Sequence, residues 1–297
     1  MDIRGSICAL ATPFAADGAL DLDAFGRLID YQLAHGTQAL VVAGSTGEAH
    51  MLEPDEFDRL LGFALERAAG RVPVIAGTGE AGTAGTVAQT RRAAALGADA
   101  ALVVTPYYVR PTQEGLRRHF LEVAERGGLP IILYNVPTRT ACDLQPATVA
   151  ALREHPRIIG IKEAVPDASR IRAIAALVRE DFSYLSGDDG SAGEAMLAGA
   201  AGTISVVANL VPAAFRALCD AALAGDQPQV ARHYERLGPL LEAIAVAPNP
   251  IPVKAGLALL GLGTGALRLP LVALQDPSAH ARLREAMRRL ATLAQVA

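Results

Sequence analysis

The segments PIILYNVP at residues 130–137 and IIGIKEA at 158–164 show the pattern that decides the fold of this 297-residue chain. Both are continuously apolar. A strand in a sheet with one solvent-exposed face would instead alternate apolar and polar residues. Continuous runs of this length are typical of parallel strands that are buried on both faces. Six more such runs occur: SICALAT (6–12), ALVVAG (39–44), VPVIAGT (72–78), AALVVTP (100–106), FSYLSGDD (182–189) and GTISVVAN (202–209).

The segments between these runs have the features of helices. LDAFGRLIDYQLA (22–34) has apolar residues near a helical period, and PDEFDRLLGFALERA (54–68) begins with proline and two acids, which favour a helix start. Runs that alternate with helices predict a parallel α/β sheet, and eight is the number of strands that closes a (β/α)8 TIM barrel. The pattern alone leaves an open, doubly wound sheet as the alternative.

The alternation stops after about residue 225. The remainder is predicted to form helices at roughly 227–246, 250–262 and 277–295. We therefore expect a (β/α)8 barrel of residues 1–225, which carries the active site, and a C-terminal helical domain of residues 226–297.

Composition and charge exclude several classes of protein. The formal net charge of −4 provides no basic face for a nucleic-acid partner. The beginning of the chain has no pattern of a secretory signal, and the odd, widely spaced cysteines Cys8, Cys142 and Cys219 indicate reduced thiols in the cytoplasm. Residues 195–215 are uncharged and long enough to cross a bilayer, but they contain glycine, asparagine and proline. We predict a buried strand between two helix ends there, and no membrane span.

In a (β/α)8 barrel the active site is formed at the C-terminal ends of the strands. Hydroxyls, phenols, an arginine and a lysine are predicted at these ends and should converge on one mouth. They belong to GSTGE (44–48), TPYY (105–108), YNVPTRT (134–140), KE (162–163) and GDD (187–189).

Lys162 is the most informative of these residues. Only Lys162 and Lys254 are lysines among the 27 basic residues. An ammonium group is costly inside an apolar strand, but a buried lysine, unlike arginine, can lose its proton and attack a carbonyl. We predict that Lys162 forms a Schiff base with a small 2-oxo acid. An ion pair with Glu163 or an aspartate is the alternative, disfavoured because neighbouring strand residues face opposite ways. Lys254, near a helix start, is predicted to be structural.

Three further side-chain types fit this chemistry. Tyr134, predicted on the adjacent strand, has a phenol that can donate and accept protons beside an imine. Ser45 and Thr46 could bind a carboxylate near a helix start, and Arg139 could hold a second carboxylate with two hydrogen bonds. The alternatives are a core tyrosine, a plain loop and a surface arginine.

Other functions remain as competing hypotheses. GTGEAG (77–82) fits the dinucleotide pattern G-x-G-x-x-G, although the next strand does not end in the required acid. The histidines lack zinc-binding spacing, and the pair Asp188 and Asp189 is a weak indication of magnesium. We expect no cofactor and no metal ion. A non-catalytic barrel that binds a keto acid or acts as a scaffold is the last alternative.

Taken together, these motifs resemble the dihydrodipicolinate synthase/N-acetylneuraminate lyase family of class I aldolases from Gly5 to at least Leu269. Arg139 and Tyr108 favour the synthase branch, whereas Ser45 stands where synthases usually have threonine and lyases also use serine. The motifs are GSTGE (44–48), TPYYVRP (105–111), YNVPTRT (134–140), GIKEA (160–164), SGDD (186–189) and NPIPVK (249–254).

The resemblance implies a reaction. Lys162 would condense with pyruvate, and the enamine would attack aspartate semialdehyde, which Arg139 binds. Tyr134 would relay protons through Ser45 to Tyr108 of a partner chain. This implies an enzyme of lysine and diaminopimelate biosynthesis, and a lyase acting on a sugar-derived 2-oxo acid is the alternative.

The resemblance also implies binding residues and an assembly. Thr46 would hold the pyruvate carboxylate, and the main chain of Gly187 and Ile204 would border the site. The assembly would be a homotetramer of two tight dimers that share Tyr108. We expect lysine to inhibit weakly or not at all, because the usual polar residues of the family's feedback site, Tyr107 excepted, are replaced by Ala49, His50, Pro54, Phe57, Ala81 and Gly85.

Overall fold

The computed structural model of the chain describes residues 3–290. Eight parallel strands form a closed barrel in chain order. The strands are β1 (Gly5–Ala9), β2 (Ala39–Val42), β3 (Val74–Gly77), β4 (Ala100–Val104), β5 (Ile131–Asn135), β6 (Ile158–Glu163), β7 (Ser183–Ser186) and β8 (Gly202–Ser205). Pairing of β1 with β8, from Gly5 with Gly202 to Cys8 with Ser205, closes the barrel. The predicted barrel is confirmed, and the open sheet is wrong.

Helices follow the strands around the barrel. They are α1 (Leu22–Ala34), α2 (Pro54–Ala68), α3 (Thr83–Leu96), α4 (Gln113–Arg126), α5 (Pro137–Thr140), α6 (Pro146–Leu152), α7 (Ala168–Ala175), α8 (Ala192–Leu197) and α9 (Pro212–Leu223). Short 3-10 helices span Ala49–Met51 and Val207–Asn209. The predicted segments 22–34 and 54–68 coincide with α1 and α2, since capping fixes both starts. Asp21 accepts a hydrogen bond from Ala24 N, and Glu56 accepts one from Glu53 N.

Both faces of each strand are buried, which explains the continuous apolar runs. One set of side chains fills the inside of the barrel and includes Ile7, Val41, Ile75, Leu102, Ile132, Tyr134, Leu185 and Ile204. The alternate residues face the surrounding helices and include Cys8, Leu40, Val74, Val103, Leu133 and Ile161. The site therefore stands on a packed core and opens at the strand ends.

Three helices follow the last barrel helix: α10 (Gln227–Ile244), α11 (Ile251–Leu259) and α12 (Pro277–Arg289). They agree with the predicted C-terminal helices, although positions 291–295 of the third lie outside the described residues. The outer apolar core continues from the barrel helices into these helices. The division into two domains at residue 225 stays a prediction.

The uncharged segment 195–215 consists of the end of α8, strand β8, a 3-10 turn and the start of α9. The predicted buried strand between helix ends is confirmed. In residues 3–290 no helix combines the length and apolar character needed to cross a membrane. Cys8, Cys142 and Cys219 are buried free cysteines.

Candidate active site

Lys162 and Tyr134 lie side by side at the C-terminal ends of neighbouring strands. They are register partners in the pairing of β5 with β6. The Lys162 Nζ lies 4.3 Å from the centroid of the Tyr134 ring. Only 4% of Lys162 and 6% of Tyr134 are exposed. The strand positions inferred from the sequence therefore place an amine against a phenol in a largely dry setting.

Glu163 faces away from Lys162, towards the outer layer of the barrel. Its carboxylate accepts hydrogen bonds from Asn135 Nδ2 at 3.0 and 3.1 Å, from Arg170 Nη1 at 3.3 Å and from Val165 N at 2.9 Å. Burial raises the pKa of Glu163, against the opposing effect of these donors. Lys162 has no ion-pair partner within the described chain, so the alternative of a pair with Glu163 is wrong.

Gly187 and Ile204 border this pair from the next two strands. Gly187 follows β7, and its N–H donates to the Glu163 carbonyl at 2.7 Å. A Cβ at Gly187 would lie 2.9 Å from the Ala164 Cβ and 3.0 Å from the Lys162 Cε. Ile204 on β8 belongs to the same inner cluster as Tyr134. The glycine thus leaves the space that the lysine side chain occupies.

Ser45 and Thr46 lie in the turn after β2. The buried Thr46 Oγ1 accepts a hydrogen bond from Asn249 Nδ2 at 2.9 Å. The turn ends at Glu48, whose φ of 52° is left-handed. The Glu48 Oε1 lies 2.5 Å from the Nζ of Lys254 in α11. Both contacts attach the turn to the C-terminal part of the chain.

Lys254 has the structural setting predicted for it. Besides the pair with Glu48, its Nζ lies 4.2 Å from the centroid of the Phe14 ring. Burial lowers the pKa of Lys254, whereas the Glu48 carboxylate opposes that effect. The two lysines of the chain thus differ, since Lys162 lacks a carboxylate partner among residues 3–290 and Lys254 has one.

A cavity of about 300 Å³ opens above these residues. Ser45, Tyr134 and Arg139 line it, together with Asn249. The exposed Arg139 in α5 directs its Nη2 to the Asn249 carbonyl oxygen at 3.0 Å. The other predicted site residues do not line it, namely Lys162, Thr46, Gly187, Ile204 and Tyr108. Tyr134 therefore connects the cavity with the buried lysine.

Tyr107 and Tyr108 point to different places. Tyr107 lines the cavity, donates from its hydroxyl to Glu80 Oε2 at 3.0 Å, and packs at a tilt against the His50 ring, 4.7 Å away between centroids. Burial and the Glu80 carboxylate raise the pKa of Tyr107 to about 12. Tyr108 is 91% exposed, and its φ of 71° is left-handed. Within one chain, Tyr108 therefore stands outside the cavity.

The glycines of the G-x-G-x-x-G segment have a packing role. A Cβ at Gly77 would lie 2.0 Å from the Ala43 carbonyl oxygen, and one at Gly79 would lie 2.5 Å from Val104 N. Neighbouring main chains thus require both glycines without any bound dinucleotide. Nowhere in residues 3–290 do three or more histidine, cysteine, aspartate or glutamate residues group as metal ligands.

Asn249 is the site residue that the sequence did not single out. It is the first residue of the motif NPIPVK (249–254). Its contacts with Thr46 and Arg139 join positions that are 203 and 110 residues apart in the chain. No local pattern indicates such contacts.

Comparison with known proteins agrees with this geometry. The model of the dihydrodipicolinate synthetase family matches residues 2–288. The chain belongs to this family. A 4-hydroxy-tetrahydrodipicolinate synthase of Xanthomonas axonopodis pv. citri is 60% identical over 274 residues, which are 92% of this chain and 90% of that protein. One of Pseudomonas aeruginosa is 47% identical and covers 98% of this chain and 100% of its own length.

Members of the dihydrodipicolinate synthetase family with solved structures have the same fold. The chloride-inhibited dihydrodipicolinate synthase of Acinetobacter baumannii in complex with pyruvate superposes with a TM-score of 0.95 at 41% identity. The match covers 98% of this chain and 99% of that one. Lys162, Tyr134 and the Ser45–Thr46 turn therefore belong to a barrel whose relatives are named as synthases.

Proposed function

We propose that this chain catalyses the reaction of a 4-hydroxy-tetrahydrodipicolinate synthase, in which pyruvate condenses with aspartate semialdehyde for lysine and diaminopimelate synthesis. The observation that carries the proposal is Lys162, a buried lysine without a carboxylate partner in the described chain, 4.3 Å from the Tyr134 ring. Family membership and the names of the relatives support the same activity, and they do not favour the sugar-acid lyase.

The first half of the reaction forms the nucleophile. The neutral Lys162 amine attacks the keto carbon of pyruvate, and loss of water leaves a protonated imine. This cation draws electrons from the adjacent methyl carbon, so that loss of a methyl proton gives the enamine. Tyr134, whose ring centroid lies 4.3 Å from the Lys162 Nζ, is the group that carries protons to and from the forming imine in this proposal. The imine itself takes up the electrons, so the mechanism requires neither a cofactor nor a metal ion.

The second half joins the substrates. The enamine carbon attacks the aldehyde of aspartate semialdehyde, and the aldehyde oxygen takes a proton. The amino group of the adduct then attacks the imine carbon and displaces Lys162, which closes the ring and frees the enzyme. Each bond to Lys162 is thus made and broken once per turnover.

The two carboxylates have separate binding groups. The Thr46 hydroxyl holds the carboxylate of pyruvate, with the main chain of Gly187 and Ile204 along the edge of the site. Arg139 at the cavity holds the carboxylate of the semialdehyde, which its planar guanidinium can bind with two parallel hydrogen bonds. The two anchors follow different strands, Thr46 after β2 and Arg139 after β5, so that each substrate has its own binding group.

Proton transfer extends to a second subunit in this proposal. Ser45 lines the same cavity as Tyr134 and passes the proton outward. Tyr108, 91% exposed in one chain, reaches the site of its partner across a tight dimer. Two such dimers form a cytoplasmic homotetramer.

The test is consumption of pyruvate on addition of aspartate semialdehyde, followed through a reductase that uses the cyclic product. We expect a saturable rate that Lys162→Ala abolishes, together with the pyruvate adduct that borohydride traps on Lys162. An adduct that survives Lys162→Ala, or that maps to Lys254, would refute the role of Lys162. Trapping of pyruvate on Lys162 without turnover would still support the aldolase chemistry. It would indicate that the second substrate is a different aldehyde.

The role of Arg139 has its own test. Arg139→Ala should raise the KM for aspartate semialdehyde by about tenfold to a hundredfold, the scale of a lost charge-assisted hydrogen bond. Pyruvate trapping should stay nearly unchanged, because Arg139 does not contact Lys162 or Thr46. An equal loss for both substrates would contradict the assignment.

A further inference from the structure

Asn249 contacts both predicted carboxylate anchors. Its side-chain Nδ2 donates to Thr46 Oγ1 at 2.9 Å, and its main-chain oxygen accepts from Arg139 Nη2 at 3.0 Å. Its Oδ1 is buried and has no hydrogen-bond partner in residues 3–290. Asn249, two positions before the start of α11, therefore joins the turn after β2 to the arginine after β5.

The contact with Thr46 decides which way that hydroxyl can act. A hydroxyl has one hydrogen to donate and two lone pairs to accept with. The Asn249 amide occupies one of the two lone pairs, while in residues 3–290 the Thr46 hydrogen has no acceptor and is free for a ligand that can only accept. Thr46 is 1% exposed, and a buried hydroxyl hydrogen without an acceptor is destabilising. A carboxylate oxygen would supply the missing acceptor.

We propose that Asn249 is a positioning residue that holds the Thr46 hydroxyl as a hydrogen-bond donor for the carboxylate of the 2-oxo acid. The proposal rests on the proposed function, since it needs pyruvate bound at Lys162. It assigns to the C-terminal part of the chain a share in binding the first substrate.

The contact with Arg139 differs from the contact with Thr46, because it does not involve the side chain of Asn249. It uses the main-chain carbonyl of Asn249, which any replacement of the side chain retains. One of the five N–H groups of Arg139 is thereby engaged, and the others stay available for a carboxylate. Side-chain variants of Asn249 should therefore weaken binding of pyruvate and leave the aldehyde site alone.

The experiment measures the pyruvate concentration that half-saturates borohydride trapping on Lys162, in the full-length enzyme without aldehyde. Asn249→Ala should raise it by about tenfold, the scale of one hydrogen bond to a charged ligand. Asn249→Asp should raise it more, by about a hundredfold, because its carboxylate would accept the Thr46 hydrogen and repel the substrate anion. The KM for the aldehyde should stay within about twofold in both variants, since Arg139 keeps its contact.

Thr46→Val provides the matched background, because it removes the hydroxyl and keeps the shape of the side chain. If Asn249 acts through that hydroxyl, Asn249→Ala should add nothing in the Thr46→Val enzyme. Multiplicative losses in the double variant would overturn the proposal, as would an Asn249→Asp enzyme that binds pyruvate like the wild type. Thermal unfolding of the Asp variant, whose side chain is nearly identical in shape to asparagine, tests whether the fold is retained.

Failure of the proposed function gives a different result. Absence of pyruvate trapping by the wild-type chain would refute the proposed reaction, and with it this role of Asn249. A wild-type chain that traps pyruvate, with an unchanged half-saturating concentration in Asn249→Ala, would overturn the positioning role alone.

Discussion

At the scale of single residues, the position of the Lys162 side chain depends on the absence of a side chain at Gly187. The lysine side chain passes so close to Gly187 that a Cβ there would lie 3.0 Å from its Cε and 3.1 Å from its Cγ. The same Cβ would lie 2.9 Å from the Ala164 Cβ, so a methyl group at position 187 would be crowded by both neighbours. A nucleophile must be held within a fraction of an ångström of its productive position. The space above the lysine is thus part of the site.

Gly187→Ala should therefore impair Schiff-base formation more than stability. We expect the rate of pyruvate trapping to fall by about a hundredfold, which is the scale of a 1 Å misplacement of a reacting group. Gly190→Ala is the matched control, because its Cβ would meet only the Asp188 Oδ2 at 3.5 Å. Equal trapping rates in the two variants would show that Lys162 can move aside without loss.

At the scale of elements, the turn after β2 is attached to α11 by the buried pair of Glu48 and Lys254. Removal of one partner of a buried pair leaves an uncompensated charge in a dry place. Lys254→Ala should lower the free energy of unfolding by about 3–5 kcal/mol, measured by urea denaturation. Replacing both partners, with Lys254→Met and Glu48→Gln, should recover most of that loss.

The same variants separate the roles of the two lysines. Folded Lys254→Ala should still trap pyruvate on Lys162, because Lys254 contacts Glu48 and the Phe14 ring and has no contact with Tyr134. Loss of trapping in a stably folded Lys254→Ala protein would contradict a structural role for this lysine.

The loop after β7 is attached to the main chain after β8 by the half-buried Asp189. Its Oδ2 accepts hydrogen bonds from Val206 N at 3.1 Å and Val207 N at 2.8 Å, and its buried Oδ1 has no partner within residues 3–290. Burial raises the pKa of Asp189 from 3.8 to about 6. The folded state therefore holds this proton more tightly than the unfolded state does.

The sign of the resulting pH dependence follows from linkage. The contribution of Asp189 to stability is fully present below about pH 4 and is lost as the pH rises to about 6, a change of roughly 3 kcal/mol. Asp189→Asn cannot ionise and should lack this component. Urea denaturation of both proteins at pH 4, 5, 6 and 7 measures it as the difference between them. A constant difference across this range would contradict the shift.

The elements also show what the sequence could and could not predict. Strands were predictable because burial on both faces makes each run apolar, yet the runs extend past the strand ends, as 182–189 does past β7 (Ser183–Ser186). The positions of Tyr134 and Lys162 followed from the strand ends. The pairing of Glu48 with Lys254 and the contacts of Asn249 depend on how α11 packs, which no local pattern encodes.

At the scale of the whole molecule, the loop after β4 combines left-handed backbone conformations with exposed side chains. Tyr108 and Arg110 both have left-handed φ values, 71° and 48°, although neither is glycine. Such residues cost about 1–3 kcal/mol each and persist where the surroundings require them. Here the loop exposes 91% of Tyr108 and 56% of Val109. A partner subunit that covers these side chains would offset the cost.

Mixed subunits test whether Tyr108 serves the site of a partner. Lys162→Ala and Tyr108→Phe proteins, each nearly inactive alone, are unfolded, mixed in equal amounts and refolded together. Random pairing makes half of the tight dimers mixed. In each mixed dimer, one of the two sites has both its own Lys162 and Tyr108 of the partner subunit. About a quarter of the wild-type activity should therefore return. Lys162→Ala mixed with Ser45→Ala is the control and should recover nothing, since both residues serve the site of their own chain. No recovery in the first mixture would place Tyr108 outside the partner's site.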